Sequence, residues 1–218
     1  MDAKDRVKIG VFARSGKNWS KLAANDHDCS KEYITPFGFH LPESKITHLY
    51  FTESKVTADF IVDALSTFWE TTRGHFKKIH TLLINSDNGP ECHSRRTQFI
   101  KRICEFAIKY NITVKLAYYP PYHSKYNPIE RVWGGLEQYW GGDILDTKET
   151  VLNFAHNFVW AGKRAVVTLL EEEYSTGVKL TAKAMDKYEQ AITRLNDEIG
   201  KWFITFDPEK IKEVLYSG

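Results

Sequence analysis

The sequence predicts an α/β protein that ends in a helical extension, and three observations support this class. Two short apolar runs, HTLLIN (80–85) and ITVKLAYY (112–119), are separated by an amphipathic segment of helix length. Two strands joined in this way are parallel neighbours or have one strand between them. Polar and apolar residues alternate over 6–13 and 46–52, as in half-buried strands. After residue 146 the apolar residues recur at helical spacing.

Composition limits the classes of protein to which the chain can belong. Its 218 residues, 42% of them hydrophobic, are enough for a packed core, and the formal charge of +2 identifies no partner. The three cysteines, Cys29, Cys92 and Cys104, lie far apart, which argues against a disulfide framework and a cysteine-built zinc site. The sequence has no signal-peptide pattern and no run of about 18 apolar residues. We therefore expect a soluble cytoplasmic protein with no membrane partner.

The first part of the chain predicts two strands and one helix. Residues 17–45 are polar and contain Pro36, Gly38 and Pro42, so we expect only short regular structure there. A strand over 46–52 follows. Thr57 is placed to cap a helix over 58–71, and the apolar residues of that helix share one face.

The central stretch, 79–141, organises the rest of the chain. The run 80–85 is short and apolar, which predicts a strand buried on both faces. Asn127 is placed to cap a further helix that has Pro128 at its first position. The predicted apolar stripe of the helix before residue 112 is Phe99, Ile103, Phe106 and Tyr110, and that of the helix after Asn127 is Ile129, Val132, Trp133, Leu136 and Trp140.

The last part of the chain predicts three helices. Asp146, with Glu149 three residues later, is a variant of the capping box that begins the first of them. Thr181 caps a helix over about 182–195, and a short helix begins at Asp207–Pro208. We expect an α/β core over 1–145 and a helical extension over 146–218 that packs on it.

Asp87 is the first candidate for chemistry, because it closes the strand 80–85. Side chains at the carboxyl edge of an α/β sheet often form ligand sites. The alternative is that Asp87 only opens the Asn88-Gly89 turn, which aspartate does well.

Glu130 is the second candidate, and it also has a structural alternative. At the third helical position after Asn127, it can reach back to the amide of the cap residue. The combination favours chemistry, because the intervening helix and strand return the chain to the edge where Asp87 lies. Gly134 leaves the same helix face open one turn later.

Carboxylates in this arrangement are suited to a hard divalent cation such as Mg²⁺. Two such ions about 3.5–4 Å apart can activate a nucleophile and stabilise a leaving oxygen in phosphodiester cleavage. A third carboxylate is then expected from another strand, and Asp2 is the best placed. Asp5, Asp26 and Asp28 are the fallback candidates.

Basic and aromatic side chains near these acids suggest DNA as the partner. The loop 118–127, YYPPYHSKYN, places aromatic rings and cations where an unpaired DNA end could stack. The alternative is that the basic residues form an ordinary solvated face. The candidate DNA contacts are Arg95, Arg96, Arg102, His123, Lys125, Asn127 and Arg131.

The segments INSDNGPE, SRRTQF and LAYYPPYHSKYNPIERVWGGLEQYW resemble the DDE transposases of bacterial insertion sequences. The similarity is greatest to the Rhodopirellula-type DDE transposase family, which is related to the mariner-like elements. It extends to DAKDRVKIGVFARSGK at the start and to YSTGVKLTAKAMDKYE and KWF near the end.

The resemblance implies a ribonuclease H-like mixed sheet flanked by helices. It also implies a catalytic, metal-binding triad of Asp2, Asp87 and Glu130 with two Mg²⁺ or Mn²⁺ ions. The reaction would be metal-dependent nicking at transposon ends, followed by attack of the freed 3′-hydroxyl on target DNA. A homodimer on paired ends and association with the bacterial nucleoid are further expectations.

Family transposases resemble longer chains that carry a helix-turn-helix region before the catalytic domain. We therefore expect this chain to be a catalytic domain that lacks sequence-specific end recognition. The alternative is an inactive or domesticated remnant that acts as a DNA-binding or assembly module. A nuclease of the same fold that cuts without joining is a third hypothesis.

Overall fold

A computed structural model describes residues 1–12, 32–76, 78–120 and 126–216. The chain divides into two compact units. Unit 1 comprises Met1, Val56–Asn127 and Tyr174–Gly218, and unit 2 comprises Asp2–Lys55 and Pro128–Glu173. Six α-helices and mixed sheets in the described ranges make this a mixed α/β protein, as the sequence predicts.

The elements are these, in chain order. The strands are β1 (Asp2–Ala3), β2 (Val7–Lys8), β3 (Tyr33–Leu41), β4 (Ile46–Thr52), β5 (Thr81–Ser86), β6 (Thr113–Tyr118), β7 (Val159–Trp160), β8 (Lys163–Arg164), β9 (Val166–Leu169), β10 (Thr193–Arg194) and β11 (Phe203–Phe206). The helices are α1 (Ala58–Thr72), α2 (Thr97–Tyr110), α3 (Pro128–Tyr139), α4 (Lys148–Asn157), α5 (Ala182–Ala191) and α6 (Pro208–Tyr216), with one 3₁₀ turn, Arg73–His75.

Unit 2 is built on the sheet β1-β3-β4-β9, with β2 also paired to β3. Its pairings are antiparallel except for β4 with β9, which are parallel. The predicted apolar face of α3 is confirmed, because its four residues within the helix, and Trp140 directly after the helix, belong to one buried cluster with strand residues such as Leu49 and Phe51. Burial of this stripe is what holds α3 on the sheet.

Unit 1 is built on the sheet β10-β11-β6-β5. β5 and β6 are parallel and directly paired, as predicted from the strand–helix–strand unit, and β11 joins β6 antiparallel. α1 begins after Thr57, whose hydroxyl accepts the backbone N–H of Phe60, so the predicted cap is confirmed. The apolar stripe of α2 is buried at Phe99, Ile103 and Phe106.

Two predictions about the strands are wrong. The stretch expected to be irregular contains β3, a strand of nine residues. Pro36 falls in the break between the pairings of β3 with β2 and with β1, where a missing backbone N–H leaves no ladder bond unmade. β5 is buried on one face only, since Leu83 on its other face is 60% exposed. At the start of the chain, the strand predicted over 6–13 is confined to β2 among the described residues.

The region after residue 146 is not purely helical, because it also contains β9, β10 and β11. The cap of α4 is Thr147 rather than Asp146; the Thr147 hydroxyl accepts the Thr150 N–H, and Asp146 accepts the Thr150 hydroxyl proton. The cap of α5 at Thr181 and the start of α6 at Pro208 are confirmed. The boundary between a core and an extension at residue 145 stays a prediction.

Candidate functional site

Asp87 lies in unit 1, directly after β5, in the loop 87–96 that leads to α2. Bonds within the loop fold it back on itself. The backbone N–H of Ser94 donates to Asn88 Oδ1 (3.1 Å), and that of Cys92 donates to the Gly89 carbonyl (3.2 Å). The backbone bond therefore closes a turn over Gly89–Cys92, and the Asn88 side chain joins the start of the loop to Ser94. The two interpretations of Asp87, as a turn residue and as a catalytic acid, stay predictions.

The Asp87 carboxylate lies close to Cys92 and Gly89 of this loop. The Cys92 thiol, which is 6% exposed, donates weakly to the Asp87 carbonyl (3.7 Å) and to Asp87 Oδ1 (3.9 Å). The same sulfur lies 3.5 Å from Ser86 Oγ. A Cβ added at Gly89 would lie 3.2 Å from Asp87 Oδ1, so the backbone there approaches the carboxylate more closely than most side chains would allow.

The loop is also held by residues far away in the sequence. The Tyr118 hydroxyl, at the end of β6, donates to the Cys92 carbonyl (2.6 Å). Burial, and secondarily the nearby Cys92 group, raises the pKa of Tyr118 well above its ordinary value, which keeps this hydroxyl protonated and able to donate. Arg194 Nη2 donates to the Ser94 carbonyl (2.9 Å).

Asp2 lies in β1 of unit 2, where Gly38 of β3 is its cross-strand partner. Its Oδ1 accepts the backbone N–H of Ala3 (2.8 Å). A Cβ added at Gly38 would lie 2.7 Å from Trp133 Cζ2 and 2.8 Å from Ile129 Cδ1. The first turns of α3 therefore pack directly against β3 at Gly38, the residue paired with Asp2.

Glu130 lies in the first turn of α3, in the same unit as Asp2, and is half-buried. No ion pair or side-chain hydrogen bond of Glu130 occurs among the described residues. A Cβ at Gly134 would meet nothing within 4 Å, which agrees with the expectation that this position is open. Gly135 differs, because a Cβ there would lie 2.6 Å from the Trp160 ring.

Met1 and Asn127 belong to unit 1, and the residues that follow them, Asp2 and Pro128, begin stretches of unit 2. The amino nitrogen of Met1 donates to the Asn85 carbonyl (2.7 Å), and Asn127 Nδ2 donates to the Met1 carbonyl (3.2 Å). Both bonds lie within unit 1, where they hold Met1 against β5 and Asn127.

The described part of the chain holds no group of three or more His, Cys, Asp or Glu side chains that could bind a metal ion. Taken singly, the carboxylates of Asp2, Asp87 and Glu130 are the oxygen donors that Mg²⁺ and Mn²⁺ prefer. The fallback candidate Asp5 is exposed, and its Oδ1 accepts the backbone N–H of Arg6. Asp26 and Asp28 lie outside the described residues.

The predicted DNA contacts differ in their surroundings. Arg96 donates to Glu91 (2.9 Å), and Arg102 is bound to the carboxylates of α1 and α2 at Asp59, Asp63 and Glu105. Asn127 is 1% exposed, and its side-chain amide donates to the Met1 carbonyl. Arg95 and Arg131 are exposed, and neither forms an ion pair within the described ranges. His123 and Lys125 lie outside the described residues.

Sequence reasoning did not find Gly38 or Arg194 as residues of this region. It counts Tyr118 among the loop aromatics that could stack on DNA, whereas the Tyr118 hydroxyl donates to the Cys92 carbonyl. From sequence, Gly38 indicates only a break in regular structure, although its neighbours in YITPFGFHL alternate as in a strand. Arg194 carried no local signal, because its contact with Ser94 spans 100 residues.

A family model described as the Rhodopirellula transposase DDE domain matches residues 1–208. The chain belongs to this family. The match covers the elements that carry Asp2, Asp87 and Glu130 and extends through Arg194 of the DDE domain. No curated protein and no solved structure matches the chain significantly. None of the described helices of the DDE domain is both long and apolar enough to cross a membrane.

Proposed function

We propose that this chain is the catalytic domain of a DDE transposase with a ribonuclease H-like fold. It nicks DNA at transposon ends, which adds water across a phosphodiester P–O bond and frees a 3′-hydroxyl. That hydroxyl then attacks a phosphodiester of target DNA. The new P–O bond replaces the bond to the 3′-oxygen of the target strand, which leaves as a 3′-hydroxyl. The observation that carries this proposal is the family match over residues 1–208.

Asp2, Asp87 and Glu130 are the proposed catalytic acids, and they would hold two Mg²⁺ or Mn²⁺ ions. When bound, such ions activate the attacking oxygen and neutralise charge on the leaving oxygen. The protein's own contribution is to fix the carboxylates in advance. Support comes from the Asp87 loop, which is closed by bonds to Asn88 and Cys92, and from the packing of α3 beneath Glu130.

Arg95 and Arg131 are the proposed phosphate contacts, because their guanidinium groups are exposed and not engaged by described carboxylates. Arg102 has a different role in this proposal, since three carboxylates of α1 and α2 bind it. Loss of one phosphate contact, for example in Arg95→Gln, should reduce the slope of log K against log salt by about 0.9 for duplex DNA. The domain would work as a homodimer on paired ends, as its resemblance to DDE transposases implies.

The decisive experiment compares the wild type with Asp87→Asn, Glu130→Gln and the control Asp186→Asn. Asp186 is an exposed carboxylate on α5 of the same unit as Asp87. Mn²⁺ binding is measured by calorimetry and nicking by relaxation of supercoiled DNA, with circular dichroism as the check on folding. We expect both site variants to bind Mn²⁺ at least ten-fold more weakly and to lose nicking, whereas the control retains both.

Nicking by Asp87→Asn at the wild-type rate would refute the assigned role of this acid. DNA binding that survives in every variant, with no nicking by any of them, would favour the non-catalytic assembly module instead. A strand-joining assay with precut ends separates a transposase from a nuclease that only cuts.

A further inference from the structure

Arg194 is held in one orientation by four hydrogen bonds from its guanidinium group. Nε and Nη2 form a two-pronged pair with Glu189 of α5 (3.0 and 2.7 Å). Nη1 reaches the Gly200 carbonyl (3.4 Å), and Nη2 also donates to the Ser94 carbonyl (2.9 Å). Because the guanidinium is planar and its donors are fixed in a fork, these acceptors together define its position.

The contact with Ser94 connects Arg194 to the loop that begins at Asp87. Ser94 is buried, and its own N–H donates to Asn88 Oδ1, the side chain next to Asp87 in sequence. Arg194 therefore binds Ser94, and Ser94 binds the side chain of Asn88, the residue next to the proposed catalytic Asp87. Within unit 1, the segment 189–200 therefore contacts the Asp87 loop through Arg194.

We propose that Arg194 is a positioning residue that holds the Asp87 loop in its active geometry, an inference that rests on the proposed function. It assigns to the C-terminal segment a role in the site: residues 189–200 complete the support of the first βα loop of unit 1. A lysine at this position retains the charge but cannot make the fork with Glu189 and reach Ser94 as well. Small displacements of a catalytic group are costly, with about 1 Å costing up to about 10²-fold in rate.

The test uses the full chain with Arg194→Ala, Arg194→Lys and the control Lys201→Ala. Lys201 is an exposed cation lining the same surface cavity as Arg95 and Arg194, so its loss controls for reduced attraction of DNA. Amide hydrogen exchange reports on residues 88–94, and nicking kinetics report kcat and KM for DNA. Added guanidinium tests chemical rescue of Arg194→Ala.

We expect exchange of the Ser94 amide to accelerate at least ten-fold in both Arg194 variants, with kcat reduced about ten-fold and KM close to that of Lys201→Ala. Guanidinium should restore part of kcat in Arg194→Ala and none in Arg194→Lys, whose side chain fills the space. Should Arg194→Ala fail to fold, Arg194→Lys carries the test alone.

Wild-type exchange and wild-type kcat in a folded Arg194 variant would overturn the inference while the proposed function stands. A reduced kcat with unchanged loop exchange would also overturn it, because the effect would then not pass through the loop. A wild-type chain that does not nick, under conditions in which Asp87→Asn binds DNA normally, would overturn the proposed function and the catalytic part of this inference with it.

Discussion

Substitution of Gly38 by alanine tests how tightly α3 packs on β3. The added Cβ would lie 2.7 Å from Trp133 Cζ2 and 2.8 Å from Ile129 Cδ1, whereas carbon atoms pack best at about 3.5–4.0 Å. Trp133 is 4% exposed and Ile129 1% exposed, so neither side chain can turn aside into solvent. The helix must therefore move by about 1 Å, or the side chains must leave their rotamers, at a cost of about 1–3 kcal/mol.

The assay is urea unfolding of Gly38→Ala beside Gly134→Ala, which adds the same methyl group on α3 itself. A Cβ at Gly134 meets nothing within 4 Å, and alanine is a better helix former than glycine by about 0.5–1 kcal/mol. The two variants should therefore change the free energy of unfolding in opposite directions. The double variant Gly38→Ala/Trp133→Phe has a smaller ring at position 133 and should recover part of the lost free energy of unfolding. Equal stabilities for Gly38→Ala and the wild type would refute the direct contact between helix and strand.

Two further predictions concern unit 1. Thr57→Ala removes the acceptor of the Phe60 N–H (3.3 Å) and should lower the free energy of unfolding by about 1 kcal/mol, whereas Thr57→Ser should retain most of it; urea titration of both decides. His93 Nδ1 accepts the Arg95 backbone N–H (3.1 Å), and burial, followed by the Arg96 charge, lowers the pKa of His93. The unfolded chain therefore binds a proton at this histidine more readily than the folded chain does. The contribution of neutral His93 to the free energy of unfolding is present above about pH 6.5 and is lost as the pH falls through the lowered pKa. His93→Asn keeps a hydrogen-bond acceptor that does not titrate, so its free energy of unfolding should depend less on pH between about pH 7.5 and 5.5 than that of the wild type. Urea titrations across this range measure the difference, and the same pH dependence in both proteins would exclude His93 as its source.

Sequence patterns predicted the parts of the fold that local interactions determine. Thr57 and Thr181 cap the helices expected of them, and the apolar stripe of α3 is buried as its spacing required. The parallel pairing of β5 with β6 followed from chain connectivity. Asp87 and Glu130 were located by the same reasoning, at a strand end and in the first turn of a helix.

The missed features depend on contacts between distant parts of the chain. β3 escaped prediction because Pro36 and Gly38 break strand propensity, yet the tertiary pairing places Pro36 in a gap and uses Gly38 for close approach. β11 was missed because its four residues gain their order from pairing with β6, about 90 residues earlier in the chain. No window of sequence around Ser94 contains information on Arg194.

The two best-defined acids of the proposed site are supported by different kinds of interaction. Asp87 depends on a polar network in which Arg194 and Tyr118 donate to carbonyls of its loop. Glu130 depends on apolar packing of α3, in which Trp133 and Ile129 lie directly against Gly38 of β3. Hydrogen bonds of a loop can open locally, whereas packed side chains yield mainly when the surrounding core does. Mild denaturant should therefore release the Asp87 loop before α3, and exchange of the Ser94 amide should rise at concentrations that leave the α3 amides protected.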